Sequence, residues 1–203
     1  MTLILIAITV AVSYAGFKSP KLMGQLQFNA SKIYYKHEYH RLITHAFVHA
    51  NWEHLIVNMI VLFSFGLAIE ADFKEHFGNL HIIYYALLYF GGILVSNLYA
   101  LFKYRRDYFY NAVGASGAVS AVLFTAIFFD PWNMIYFFGI LPIPGIVFAV
   151  LYLVYSYQMS VKQKDNVAHD AHFLGALYGF VFPILLNPRL FELFIDKLFK
   201  ILE

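Results

Sequence analysis

Val113-Gly114-Ala115-Ser116-Gly117-Ala118-Val119-Ser120-Ala121-Val122-Leu123-Phe124-Thr125-Ala126-Ile127-Phe128-Phe129 runs without a single charge. A bilayer core takes about 20 apolar residues to cross, with a range of roughly 17–25, so this stretch is long enough to span one. It opens on small residues and a hydroxyl, and a polar group carried into lipid is costly enough that Ser116 needs a use. The composition extends that reading to the whole chain. Its 203 residues are 61% hydrophobic, 20% aromatic and 13% charged, whereas a soluble domain has about 45–50% apolar and about 25% charged residues. The net charge of +2 is small and its carriers are scattered, which excludes nucleic acid as a partner. With no cysteine, disulfides and zinc-thiolate sites are excluded as well.

The hydropathy pattern predicts an all-α, polytopic membrane protein with six spans in a single domain over residues 1–203. The spans fall at about 2–18, 53–69, 79–102, 113–129, 144–160 and 168–187. Thr2 to Phe17 ends in Val12-Ser13-Tyr14-Ala15, which has the look of a cleavage site. No Lys or Arg precedes it, so a retained first span is expected. Residues 19–52 form a long first loop, rich in Tyr, His and Phe, that belongs in the headgroup region. Pro142, Pro144 and Gly145 break the stretch from Pro131, which reads as an interfacial segment before the fifth span or as a longer, kinked fifth helix. Lys103 to Asp107 make the third loop polar, and Ser160 to Asn166 form a short polar fifth loop suited to a mobile cap. After Pro188, Leu190, Phe191, Phe194, Ile195, Leu198 and Ile201 share one helical face and Arg189, Glu192, Asp196 and Lys200 another. That pattern predicts an amphipathic helix over 189–203 lying on the membrane surface.

Successive spans alternate direction, so the starts of spans two, four and six share one membrane face. His45, His49 and His54 lead into span two, Ser116 opens span four, and His169 and His172 open span six. Three polar clusters in one leaflet are what a single buried site requires. The loops on that face also carry Lys18, Lys21, Lys32, Lys36, Arg41, Lys103, Arg105, Arg106, Lys162 and Lys164, and the opposite face only Lys74, Arg189, Lys197 and Lys200. Read by the positive-inside rule, the site is cytoplasmic.

A serine hydroxyl becomes a nucleophile when a base such as neutral imidazole stands beside it. Gly114 and Gly117 flank Ser116, and Gly175-Ala176-Leu177-Tyr178-Gly179 follows His172 on its own face, so two helices can approach closely enough for Ser116 and His172 to meet. Taken singly, each has a plainer reading, as a packing motif and a buried hydrogen bonder. Together at one depth they point to a site. His54 and Asn58, four apart on one face, are candidates for stabilising an oxyanion with the Ser116 backbone N–H, or for interhelical hydrogen bonds. His45 and His49 suit hydrogen bonding within the loop or holding water near the site. His169 shares the face of His172 and can support its ring, whereas Asp170 points elsewhere, leaving a Ser–His dyad. No cofactor and no bound metal is indicated.

With these residues in place, the chain resembles the rhomboid intramembrane serine proteases of the minimal, bacterial, six-span kind. The resemblance rests on Gly114-Ala115-Ser116-Gly117 (GxSG), on Ala171-His172-Phe173-Leu174-Gly175-Ala176-Leu177-Tyr178-Gly179 (AHxxGxxxG) and on His49-Ala50-Asn51-Trp52-Glu53-His54-Leu55-Ile56-Val57-Asn58 (HxxxxHxxxN). It implies Ser116 as nucleophile, His172 as general base, and His54 and Asn58 in the oxyanion hole. It implies hydrolysis of peptide bonds in or beside the transmembrane segments of other membrane proteins. A substrate helix is expected to unwind locally, and the short polar fifth loop with the break at Pro142, Pro144 and Gly145 would let the fifth span move aside to admit it. The resemblance also puts both termini in the cytoplasm and the site on the extracytoplasmic side of a bacterial inner membrane, against the Lys/Arg count. Glu38-Tyr39-His40-Arg41 resembles a first-loop motif that normally reads Trp-Arg, with His40 in place of Trp. Ser120 stands where many members stack an aromatic residue on the histidine, and Glu70 with Gly66 and Gly78 resembles a structural second-loop pattern. Two readings from other classes stay open: a rhomboid-like protein that binds and escorts membrane clients without cleaving them, and a metalloenzyme using His45, His49, His169 and His172.

Overall fold

The structure, a computed structural model, describes residues 1–137, 139–162 and 167–199. The helices are α1 (Thr2–Lys18), α2 (Pro20–Leu26), α3 (Ala30–Lys36), α4 (Arg41–Thr44), α5 (Trp52–Phe77), α6 (His81–Ser96), α7 (Leu98–Lys103), α8 (Ser116–Phe129), α9 (Gly145–Lys162), α10 (His169–Leu186) and α11 (Arg189–Phe199). Twelve of the fourteen residues of α8 are buried, which explains why its sequence has no polar face: a helix that is hydrophobic all round belongs in a core. Helices α5, α6 and α10 pack directly around it. At the other extreme, Gly145, Ala149 and Ser156 are the buried residues of α9, which therefore lies at the edge of the bundle.

Three stretches are long and apolar enough to cross a membrane by length and composition, Trp52–Lys103, Gly145–Lys162 and His169–Leu186, with Thr2–Lys18 and Ser116–Phe129 as shorter apolar helices. The first reverses direction at Gly78 (φ 54°), where α5 ends and α6 begins. The reversal is tied down far from the turn. Thr2 and Tyr85 hydroxyls hydrogen-bond at 2.8 Å, the Thr2 N–H donates to the Glu70 carboxylate, and Gly66 leaves room for both side chains. The predicted third span is divided at Asn97, whose amide donates to the Ile93 carbonyl and the Ser96 hydroxyl, both at 3.0 Å, and separates α6 from α7.

Three expectations are corrected. The long first loop is largely helical, built of α2, α3, α4 and a single 3₁₀ turn at His45–Phe47. The Pro131–Pro144 stretch is neither featureless nor a helix, so the chain is not wholly α. β1 (Met134–Phe137) pairs antiparallel with β2 (Leu141–Pro144), Pro142 opposite Tyr136 and Pro144 opposite Met134. A two-stranded hairpin tolerates these prolines because each strand is an edge that needs no N–H on its outer side. The C-terminal helix is amphipathic as expected, but it docks onto the bundle. Phe194 stacks on Phe128 at 5.2 Å, and Lys197 Nζ donates to the Phe129 carbonyl at 2.7 Å. The fifth-loop residues 163–166 and the predicted helical positions 200–203 lie outside the described residues.

Candidate active site

The first loop is clamped from inside by Arg41. Only 3% exposed, its guanidinium donates from Nε to Glu38 at 2.6 Å and from Nη1 to the Gly24 and Gln27 carbonyls at 2.9 and 2.7 Å. That hydrogen bond holds the Glu38 carboxyl below its usual range. His40, where a Trp was expected, is exposed and bonds the Gln25 carbonyl at 3.1 Å.

This clamp sets two buried histidines beneath the turn that leads into α8. His45 Nδ1 donates to the Arg41 carbonyl at 2.9 Å, its Nε2 accepts from the Asn97 amide at 3.0 Å, and its own carbonyl accepts the Gly114 N–H at 2.9 Å. His49 Nε2 accepts the Ala115 N–H at 3.4 Å. Its proton therefore sits on Nδ1 and is donated to Ser13 Oγ at 2.9 Å, and Ser13 in turn donates to the Phe47 carbonyl at 3.0 Å. Burial pushes His45 down to about 4 and His49 to about 3, so both are neutral at pH 7. Consecutive N–H groups of the GxSG turn are thus each held by a histidine of the first loop.

Gly114 has φ 114°, a conformation that L side chains rarely adopt, and a Cβ there would lie 2.5 Å from His54 Cε1 and 2.8 Å from its Nε2. The His54 ring thus lies against the backbone two residues before Ser116, and packs edge-on against His49 at 4.9 Å. One turn on, the buried Asn58 donates through Nδ2 to the His54 carbonyl at 2.8 Å. Helix α8 begins at Ser116, so the first N–H groups of that helix, which lack intrahelical acceptors, open beside these side chains.

Helix α10 meets α8 backbone to backbone. A side chain on Gly175 would collide with the Gly117 carbonyl, and one on Gly179 with that of Ala121. Thr125 Oγ1 donates across the same seam to the Gly179 carbonyl at 2.7 Å. Gly117 adjoins Ser116, and Gly175 lies one turn after His172. The glycine seam therefore brings the two half-buried residues to the same end of the same helix pair. Against the His172 ring lie His169, edge-on at 5.8 Å, and Tyr152 of α9, at 6.4 Å with 28° between the planes. Tyr152 also hydrogen-bonds Ser120 Oγ at 2.6 Å, one helical turn after Ser116.

A Rhomboid domain model matches residues 36–189, more than half of the chain, including Ser116, His172, His54 and Asn58. The chain belongs to the rhomboid family. It is a multi-pass membrane protein similar to two proteins of Arabidopsis thaliana. One is RHOMBOID-like protein 12, mitochondrial, 27% identical over 152 residues that cover 68% of this chain and 43% of the relative. The other is RHOMBOID-like protein 1, 32% identical over 176 residues that cover 82% of this chain and 39% of the relative. The chain thus spans about two fifths of the length of these relatives.

Within this rhomboid, sequence reasoning missed Ser13, Asn97 and Tyr152. Asn97 had a readable signal, a polar residue inside a predicted span. Tyr152 had none, because an aromatic residue on a lipid-facing helix is unexceptional. The metal reading meets a specific difficulty: both ring nitrogens of His45 and both of His49 are already hydrogen-bonded to protein. Among the described residues no three His, Asp or Glu side chains gather at metal-binding range.

Proposed function

We propose that this rhomboid is an intramembrane serine endopeptidase that cleaves peptide bonds in or near the transmembrane segments of other membrane proteins, through a dyad of Ser116 and His172. The observation that carries the reading is the glycine seam, which lets α8 and α10 touch backbone to backbone beside both residues. In this reading Ser116 Oγ attacks the scissile carbonyl while His172 takes its proton. The oxyanion that forms is received by the free N–H groups at the start of α8, where the helix dipole favours negative charge, with His54 and Asn58 alongside. His172 then protonates the leaving amine, and water admitted from the polar end of the bundle hydrolyses the acyl-enzyme.

Helical backbone buries its carbonyls in its own hydrogen bonds, so the substrate must unwind at the cut, and small or helix-breaking residues there favour cleavage. The test is turnover of a single-span substrate by protein reconstituted in liposomes. Ser116→Ala should lower turnover by about 10³-fold or more, the scale seen when one member of a nucleophile–base unit is removed. Equal turnover by the variant would overturn the dyad. Binding of the substrate with no cleavage by the unmodified protein would point to an escort.

A further inference from the structure

We propose that Tyr152 is the positioning residue of His172, and that it makes the geometry of the dyad depend on α9 lying against α8. The inference rests on the dyad reading above. It starts from Ser120, one turn after Ser116 on α8, whose side chain carries no ring. The ring beside His172 comes instead from α9, and the Tyr152 hydroxyl is fastened to that same Ser120 at 2.6 Å. Phe148 and Phe124 flank the tyrosine ring at 5.8 and 5.4 Å. Three residues further along α9, Tyr155 packs edge-on against His169 at 5.5 Å. One face of α9 therefore supplies an aromatic neighbour to each of the two α10 histidines.

This arrangement has a mechanical consequence. Helix α9 buries only small side chains, Ala149 and Ser156, apart from Gly145 at its start, and leaves Val147, Val150, Leu151, Val154 and Tyr157 exposed. Of the three stretches long and apolar enough to cross a membrane it is the least buried, and it carries the group that holds the imidazole. Any movement of α9 away from α8 withdraws Tyr152 from Ser120 and from His172 together. A substrate that enters beside α9 must leave this contact made, or let it re-form, before Ser116 can be deprotonated.

The test compares full-length variants in liposomes by two readouts: the rate at which a fluorophosphonate probe labels Ser116, and kcat and KM for a single-span substrate. Tyr152→Ala should slow labelling and lower kcat by 10-fold or more while KM changes less than 2-fold. Tyr152→Phe, which keeps the ring and loses the hydroxyl, should lower kcat only 2- to 5-fold, as should Ser120→Ala. Adding Ser120→Tyr to Tyr152→Ala returns a ring to the vacated space from α8 and should recover at least half of the lost labelling rate. Leu151→Ala, next to Tyr152 on α9 but exposed, should label as the unmodified protein does. A Tyr152→Ala protein that labels at the unmodified rate, with turnover kept or raised, would assign Tyr152 to the access path and overturn the inference. Should that variant fail to fold, the two milder ones decide, and unchanged kcat in both overturns it. Failure of the dyad reading is read separately, as no labelling of Ser116 in the unmodified protein, and takes this inference with it.

Discussion

His49 keeps its bond to the turn before Ser116, and His45 its bond to Asn97, only while they are neutral, since each uses one ring nitrogen as an acceptor. Their pKa values in the fold, about 4 and about 3, lie well below the ordinary 6.5 of an unfolded chain. Between pH 6.5 and those values the unfolded chain takes up protons that the fold refuses, so stability present above pH 6.5 is lost as the pH falls. Each such proton costs about 1.4 kcal/mol per pH unit. Thermal unfolding in detergent should therefore be nearly flat from pH 7 to 8 and fall steeply from pH 6 to 4. His49→Gln, which cannot be charged, should flatten part of that slope. Equal melting temperatures at pH 7.5 and pH 5 would refute this account. At this scale the sequence singled out polar residues in apolar surroundings, Ser116, His172, His54 and Asn58, whose roles are the proposal put to the test above. It was silent on main-chain partners, such as the Ala115 N–H that meets the His49 ring and the Gly114 N–H that meets the His45 carbonyl, because no pattern of residue types records which main-chain group will be met.

Elements were more legible than their joints. The apolar runs marked α1, α8, α9 and α10 to within about three residues, because burial in lipid or protein requires continuous apolar sequence whatever the packing. The hairpin of β1 and β2 was missed because its prolines read as interruptions, while the pairing that makes it a hairpin joins residues four to ten apart. The glycine seam was visible as a spacing, and the structure adds what it excludes: the groups facing Gly175 and Gly179 are main chain and cannot turn aside. Gly179→Ala should push α10 away from α8, destabilising the protein by about 1–3 kcal/mol as overpacking does, and should lower turnover more than it lowers melting temperature. Gly24→Ala, in a helix with open space around the added methyl, should leave both unchanged or slightly improved. Circular dichroism melts and substrate turnover on the same preparations separate the two effects, and a Gly179→Ala protein as stable and active as the original would show that the seam has slack.

At the scale of the whole molecule, the unresolved quantity is sidedness, because the Lys/Arg count and the family resemblance point opposite ways. The fold bears on how those charges are weighed. Arg41 is buried and paired with Glu38, and Lys103 lies over the rings of Tyr99 and Tyr104 at 5.1 and 4.8 Å, so neither is a bare charge in water. The first loop that holds four of the ten basic residues on the site face is a set of packed helices and not a short free connection, and orientation follows charge most closely in short loops. We therefore expect the site face to be extracytoplasmic. The chain has no cysteine, so a single introduced one reports its own position. Lys21→Cys and Arg105→Cys, in the first and third loops, should react with a membrane-impermeant maleimide added outside intact bacterial cells expressing the protein. Lys74→Cys, at the far end of α5, should react only after the cells are opened. The reverse pattern would place Ser116 and His172 at the cytoplasmic face and restrict the substrates to those whose cleavable segment lies at that leaflet.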